Sequence, residues 1–267
     1  MVERDIDAVR AAITEIDVSP LVPEAREIVT KAANVYIRHT TSWLIGLLVH
    51  GSALKGGFIP GCSDIDFQLF LDDGAFECDG LLPVQLAAAI HRDLSAIDPS
   101  PFAYIQCYPM GRDREVEIRR GGGAGPIPGA YHLLAGELPV PEASAQQLRE
   151  HARIRFELSP LIQREYPNNL LQHGAGHLER EVRYICTDVW PVLYCFLTLR
   201  CEDPLEVWCL PKDAAMALLP RAESPGREIQ IFYHSILAYY GGNRSMELAL
   251  RVIGQGVAFI HAAGEHV

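Results

Sequence analysis

The spacing of apolar residues along the chain changes character near residue 142. Before that point short helical patterns alternate with strand-like runs, and from 143 to 262 the pattern is helical throughout. Within the first forty residues, which read as helices, Pro23-Glu24 opens a run in which Ala25, Ile28, Val29, Ala32, Val35 and Tyr36 recur at helical spacing. Leu44 to Val49 is a short apolar run that ends at Gly51-Ser52, the pattern of a buried strand feeding a turn. From Asp64 to Leu71 polar and apolar residues alternate, so as a strand Asp64, Asp66 and Gln68 share one face and Ile65, Phe67, Leu69 and Leu71 the other. Leu82 to Ile97, with Leu86, Ile90 and Leu94 on one side, predicts an amphipathic crossover helix. Strands are expected at Phe102 to Tyr108 and Glu115 to Arg119. The two prolines of Leu138-Pro139-Val140-Pro141 interrupt both strand and helix and mark a domain junction. Helices are then expected over Ala145 to Leu158, His177 to Leu199, Pro211 to Leu219, Glu228 to Tyr240 and Ser245 to His261. The fold class that follows is mixed α/β, of the α+β kind. Residues 1–142 form a domain with a small mixed sheet, and residues 143–267 an all-helical one.

The strand at Asp64 carries the chemistry. Two carboxylates side by side repel unless a divalent cation lies between them, and hard oxygen ligands with open positions suit magnesium bound together with substrate phosphates. The turn Gly51-Ser52-Ala53 supplies the complementary half. Glycine admits close backbone approach, and backbone and hydroxyl donors at such a turn can hold the terminal phosphates of a nucleoside triphosphate. Ser63 suits the turn that precedes the strand. A hairpin with an acidic turn would account for the aspartates but not for the Gly-Ser before them or the alternation after them.

Gly-Ser, eleven residues, then Asp-x-Asp on a strand resembles the DNA polymerase beta-like nucleotidyltransferase superfamily. Gly51-Ser52-Ala53, Gly56-Gly57, Pro60 and Ser63-Asp64-Ile65-Asp66 resemble, more narrowly, the aminoglycoside adenylyltransferases that act on streptomycin and spectinomycin. A distant second stretch resembles the same family: Pro211-Lys212-Asp213-Ala214-Ala215 with Leu218-Leu219-Pro220, behind a long apolar helix. The resemblance implies a magnesium-dependent enzyme that moves AMP from ATP to a hydroxyl of an aminoglycoside-type antibiotic. The same fold acting on a protein, an RNA or another small hydroxyl compound is the alternative. The active site is expected between the two domains, with the acceptor against the second. Asp64 and Asp66 would be catalytic metal ligands, and Gly51 and Ser52 would hold the triphosphate. Lys212 would be an ATP-phosphate ligand, although a lysine at a helix start is ordinarily solvated. Asp188 falls near the acidic residue that meets the cationic drug, although Glu179, Glu181 and Asp188 equally fit a solvated helix face. Trp190 suits stacking on a sugar or base, or core packing. A third carboxylate is expected on a neighbouring strand, to complete the metal site or serve as general base. Glu117, between Val116 and Ile118, is the choice, and Glu115 points the same way in an extended strand. The spacing departs from the drug-modifying enzymes, with a longer insertion before this carboxylate and a shorter segment after it.

Charge sharpens the expected partners. The chain has 23 basic and 34 acidic residues, a net charge of −11, and 11 basic against 20 acidic residues precede Ala143. An acidic surface repels phosphate backbones and attracts small cations, so the expected acceptor is a small cationic hydroxyl compound and not nucleic acid. Solubility alone would also explain the acidity. Cysteines 62, 78, 107, 186, 195, 201 and 209 are odd in number and lack a Cys-x-x-Cys pair, which suggests reduced thiols. Met1-Val2-Glu3-Arg4-Asp5 is charged, and the apolar stretch Val189 to Leu199 is too short to span a bilayer, so a cytoplasmic protein without a membrane partner is expected. The cluster Gly121-Gly122-Gly123-Ala124-Gly125-Pro126 lacks a following Gly-Lys-Ser/Thr and reads as a connector. His173 and His177 are spaced for zinc on a helix, but Gly174 and Gly176 disfavour helix there. The oligomeric state is not legible.

Overall fold

Pro23 occupies the first turn of α1 (Pro23–Thr40), where its missing N–H breaks no helical bond. The apolar face of α1 buries Ala25, Ile28, Val29, Ala32 and Tyr36. Its target is a four-stranded sheet, seen in a computed structural model that describes residues 16–78, 80–111 and 125–267. The strands are β1 (Leu44–His50), β2 (Ile65–Leu71), β3 (Ile105–Met110) and β4 (Tyr131–Gly136). Their order is β3-β2-β1-β4. β1 is antiparallel to both β2 and β4, and β2 is parallel to β3. Parallel neighbours need a crossover, which the helix α3 (Val84–Leu94) provides. A one-turn helix, α2 (Ser52–Lys55), follows β1 directly.

β1 is buried along almost its whole length, as expected of a central strand covered on both faces. β2 alternates: Ile65, Phe67 and Leu69 are buried, whereas Asp66 and Gln68 are partly exposed. Tyr36 of α1 meets Phe67 with ring centroids 5.2 Å apart, so this is the face that α1 covers. Each such large side chain contributes roughly 1.5–3 kcal/mol by leaving water. On the opposite face Ile45, Leu48 and Phe70 form a small apolar cluster joined by Met110, Leu133 and Val140. That face is therefore apolar at one end and polar at the other.

Two compact units are present, one of Met1–Gly56 with Ser63–Glu142 and one of Gly57–Cys62 with Ala143–Val267. The second takes in Gly57–Cys62, a segment that the sequence pattern assigns to the first, because Ile59 is buried in the helical core and Cys62 packs against it. This unit contains α4 (Ala145–Asn169), α5 (His177–Arg200), α6 (Pro204–Cys209), α7 (Lys212–Ala217), α8 (Gly226–Gly241) and α9 (Met246–Glu265). α4 opens on a capping box: the Gln147 amide N–H donates to Ser144 Oγ at 3.2 Å, and the Ser144 N–H donates to Gln147 Oε1 at 2.9 Å. α5 is the central helix, and Val189, Leu193 and Phe196 on it share a core with Phe232 and Phe259. By length and composition α5 could cross a membrane, but 67% of its apolar window is buried inside this unit, which makes it a core helix.

Several boundaries differ from expectation. α4 runs eleven residues beyond Leu158, continuing through Pro160. β3 extends past Tyr108 through Pro109, which is tolerated because β3 lies at the edge of the sheet as described. β4 and α6 were not anticipated, and the expected strand Glu115 to Arg119 lies outside the described residues. The seven cysteines form no disulfide with one another.

Candidate active site

The polar end of the sheet is built by register. β1 ends at His50, which pairs with Asp66 on β2 and with Tyr131 on β4, while Asp66 pairs on its other side with Gln106 of β3. Residues directly opposite one another share a face, so His50, Asp66 and Gln106 form a row at that end, and Gln68 and Tyr108 form the next. Asp64 immediately precedes β2 and is partly exposed.

After His50 the chain turns at Gly51, whose φ of 72° and ψ of −149° lie where a side chain is strongly disfavoured. A Cβ there would stand 2.6 Å from Asp66 Oδ2, so the glycine backbone forms one wall of the space around that carboxylate. Ser52 is buried, and its hydroxyl donates to the Asp64 carbonyl at 3.5 Å, the long limit of a hydrogen bond. The turn and the acidic strand are thus tied to each other. Gly51, Ser52, Asp64 and Asp66, expected together from sequence, are brought together here. Glu117 and Glu115 lie outside the described residues, and among the described residues no group of three or more metal-ligating side chains occurs.

Four neighbours complete this end of the sheet. His50 Nε2 is buried with no hydrogen-bond partner among the described residues, and burial, then the nearby Lys55 ammonium, pulls the imidazole from its ordinary 6.5 to about 4. Its ring is therefore neutral at pH 7. Tyr104 donates its hydroxyl proton to Gln106 Oε1 at 2.6 Å, and Gln106 Nε2 donates to the Tyr108 hydroxyl oxygen. Burial, followed by the charges of Asp66 and Asp64, pushes the Tyr108 phenol upward, so both carboxylates act on this one hydroxyl. The sequence signals for these residues are slight. His50 is simply the residue before Gly-Ser, and Tyr104, Gln106 and Tyr108 alternate at the strand period.

The remaining expected residues lie in the helical unit. Lys212 begins α7 behind Pro211, with its Nζ 5.5 Å from the centroid of the Trp190 ring. Trp190 is buried against Phe232 and Tyr233, which assigns it to core packing. Asp188 has both carboxylate oxygens engaged, one by Arg155 at 2.8 Å and the other by the Tyr166 hydroxyl at 2.6 Å. The solvated helix face considered for Glu179, Glu181 and Asp188 does not describe Glu181, which is 2% exposed and accepts from Asn169 Nδ2 at 2.9 Å. The His177 ring is taken by the Asn169 carbonyl at 2.9 Å and by Arg180 at 2.6 Å.

No family model matches the chain, and no curated protein sequence does. Among solved structures it is similar to the spectinomycin adenyltransferase AAD(9) from Enterococcus faecialis, solved with ATP and spectinomycin. The TM-score is 0.57 at 15% identity, over 90% of this chain and 98% of the other. At this identity the likeness is one of fold, a small mixed sheet with helices and a helical unit.

Proposed function

We propose that the protein is a magnesium-dependent nucleotidyltransferase that transfers AMP from ATP to a hydroxyl of a small cationic, aminoglycoside-type acceptor. The observation that carries this reading is the convergence of Gly51, Ser52, Asp64 and Asp66 at one end of the sheet, in a fold shared with an adenyltransferase. Fold alone does not fix chemistry, so the argument rests on what these residues can do.

The donor set suits a hard divalent cation. Asp66 Oδ2 faces the Gly51 backbone, which carries no side chain of its own, and Asp64 lies two residues away. In this reading Asp64 and Asp66 hold the cation together with the triphosphate. When bound, magnesium would neutralise charge on the phosphates and on the departing pyrophosphate. The Gly51-Ser52 turn holds phosphate oxygens, and Lys212 adds a positive charge to them. Glu117, or Glu115, takes the proton of the acceptor hydroxyl. That oxygen then bonds to the α-phosphorus as the bond to the β-phosphate oxygen breaks, leaving an adenylylated acceptor and pyrophosphate. A cationic acceptor is favoured by the excess of 20 acidic over 11 basic residues before Ala143. Asp188 would serve the acceptor only by exchanging Arg155 for a cationic group of the drug.

The test is to incubate the protein with magnesium, ATP and a panel of streptomycin, spectinomycin and kanamycin, and to look by mass spectrometry for one adenylyl group on each drug. An adduct that disappears in folded Asp64→Asn and Asp66→Asn variants is the expected result. Absence of any adduct, with ATP binding intact, would remove the antibiotic acceptor and direct the search to other hydroxyl compounds and protein targets.

A further inference from the structure

The hydrogen-bond chain on β3 leaves one proton without an acceptor among the described residues. The Tyr104 hydroxyl donates to Gln106 Oε1, which fixes the amide with its oxygen toward Tyr104 and its nitrogen toward Tyr108. Gln106 Nε2 then donates to the Tyr108 oxygen and occupies its acceptor side. The phenolic proton of Tyr108 is left over, and no acceptor among the described residues takes it.

Its position follows from the register. Gln106 pairs with Asp66, whereas Tyr108 pairs with Gln68 one row further on. Because the Tyr108 hydroxyl rests on the Gln106 amide, the side chain leans back along the strand to the level of Asp66. The charges of both Asp66 and Asp64 are felt there. Tyr108 is nevertheless 50% exposed, so the hydroxyl faces space that a ligand can enter. Both carboxylates are close enough to act on it electrostatically.

We propose that Tyr108 is a nucleotide-positioning residue whose hydroxyl, held by the Tyr104–Gln106 chain, donates to a phosphate oxygen bound at the Asp64–Asp66 pair. This inference rests on the nucleotidyl-transfer reading and adds a residue to it. A neutral donor is the suitable group at that place. A lysine there would pair with the aspartates and compete for their oxygens, whereas a phenol contributes a proton without a charge and strengthens when its acceptor is anionic. Tyr108 takes no proton and forms no bond to phosphorus.

The test is calorimetric binding of α,β-methylene-ATP with magnesium to the wild-type protein, to Tyr108→Phe and to Gln106→Leu. Circular dichroism and thermal unfolding verify the fold of each. Tyr108→Phe keeps the ring and deletes only the donor, so affinity for the analogue is expected to fall roughly tenfold, the effect of one hydrogen bond to a charged group at a half-exposed site. Gln106→Leu is expected to show a smaller loss, because the phenol keeps its proton but loses the partner that aims it. Adenosine, which lacks phosphates, should bind all three proteins equally. Wild-type binding with an unchanged affinity in Tyr108→Phe would overturn the Tyr108 assignment and leave the transfer reading standing. An equal loss for adenosine would place the contact on the nucleoside and overturn the phosphate assignment. Failure of the wild-type protein to bind the analogue at all would overturn both.

Discussion

Replacing Gly51 by alanine separates the backbone's role from that of the acidic pair. The residue sits at φ 72° and ψ −149°, a region open essentially to glycine, and an L side chain there costs on the order of 1–3 kcal/mol. The new Cβ would also stand 2.6 Å from Asp66 Oδ2, closer than carbon and oxygen tolerate, so the carboxylate must swing away. Because it is the far end of a side chain that moves, this second effect falls on the site and adds little to the loss of stability. Urea unfolding of Gly51→Ala should therefore show a loss of about 1–3 kcal/mol, a shift in Tm of about 2–12 °C for a chain of this size. In the proposed site, displacing the Asp66 carboxylate by even 1 Å would lower transfer by about a hundredfold, so the rate should fall far more than the folded fraction does. Gly254→Ala in α9 is the control. It has open space around its Cβ and a helical backbone, so alanine should stabilise by roughly 0.5–1 kcal/mol and leave transfer unchanged. Wild-type stability and wild-type transfer in Gly51→Ala would refute the reasoning. A destabilised variant with full activity would remove Asp66 from the metal site.

Three further outcomes are expected. Asp188→Asn should cost roughly 1–3 kcal/mol without any drug present, because Arg155 and the buried Tyr166 hydroxyl both lose a charged acceptor, and chemical denaturation measures it. Wild-type stability in that variant would show that Asp188 is free for a ligand. His50 is neutral in the folded state down to about pH 4 but takes a proton near 6.5 when unfolded. Stability should therefore fall as pH drops from about 6.5 to 4, by up to about 3 kcal/mol, and His50→Phe should flatten that part of the profile. Gly256→Ala should destabilise, since its Cβ would meet Ile185 Cγ1 at 2.3 Å where α9 crosses α5; unfolding at or above the wild-type denaturant midpoint would contradict that close approach.

Much of the fold was legible because it is local. The apolar run into Gly51-Ser52 and the alternation after Asp64 each specify a strand from a few neighbouring residues, and the helices α5, α8 and α9 follow from apolar spacing. β4 escaped because Tyr131-His132-Leu133-Leu134-Ala135-Gly136 neither alternates nor forms a long apolar run, and its strand character comes from pairing with β1. α4 runs on through Pro160, a residue that more often ends a helix. In the site, Asp64 and Asp66 stand out by motif, whereas His50 acquires meaning only from the register that sets it opposite Asp66, and Tyr108 from its place one row further on, opposite Gln68. Cross-strand neighbours at such separations leave no mark on a single sequence. Asp188 shows the converse, since its place in the chain suggests a ligand while its surroundings supply Arg155 and Tyr166 as partners.

The most direct measurement uses ATP radiolabelled at either the α- or the γ-phosphorus, with magnesium and the acceptor panel, in the wild-type protein and in folded Asp66→Asn. Nucleotidyl transfer at this site requires the α label to appear in the acceptor, the γ label to appear in pyrophosphate, and both to vanish in the variant. Transfer of the γ label to the acceptor, or α transfer that survives in Asp66→Asn, would contradict it.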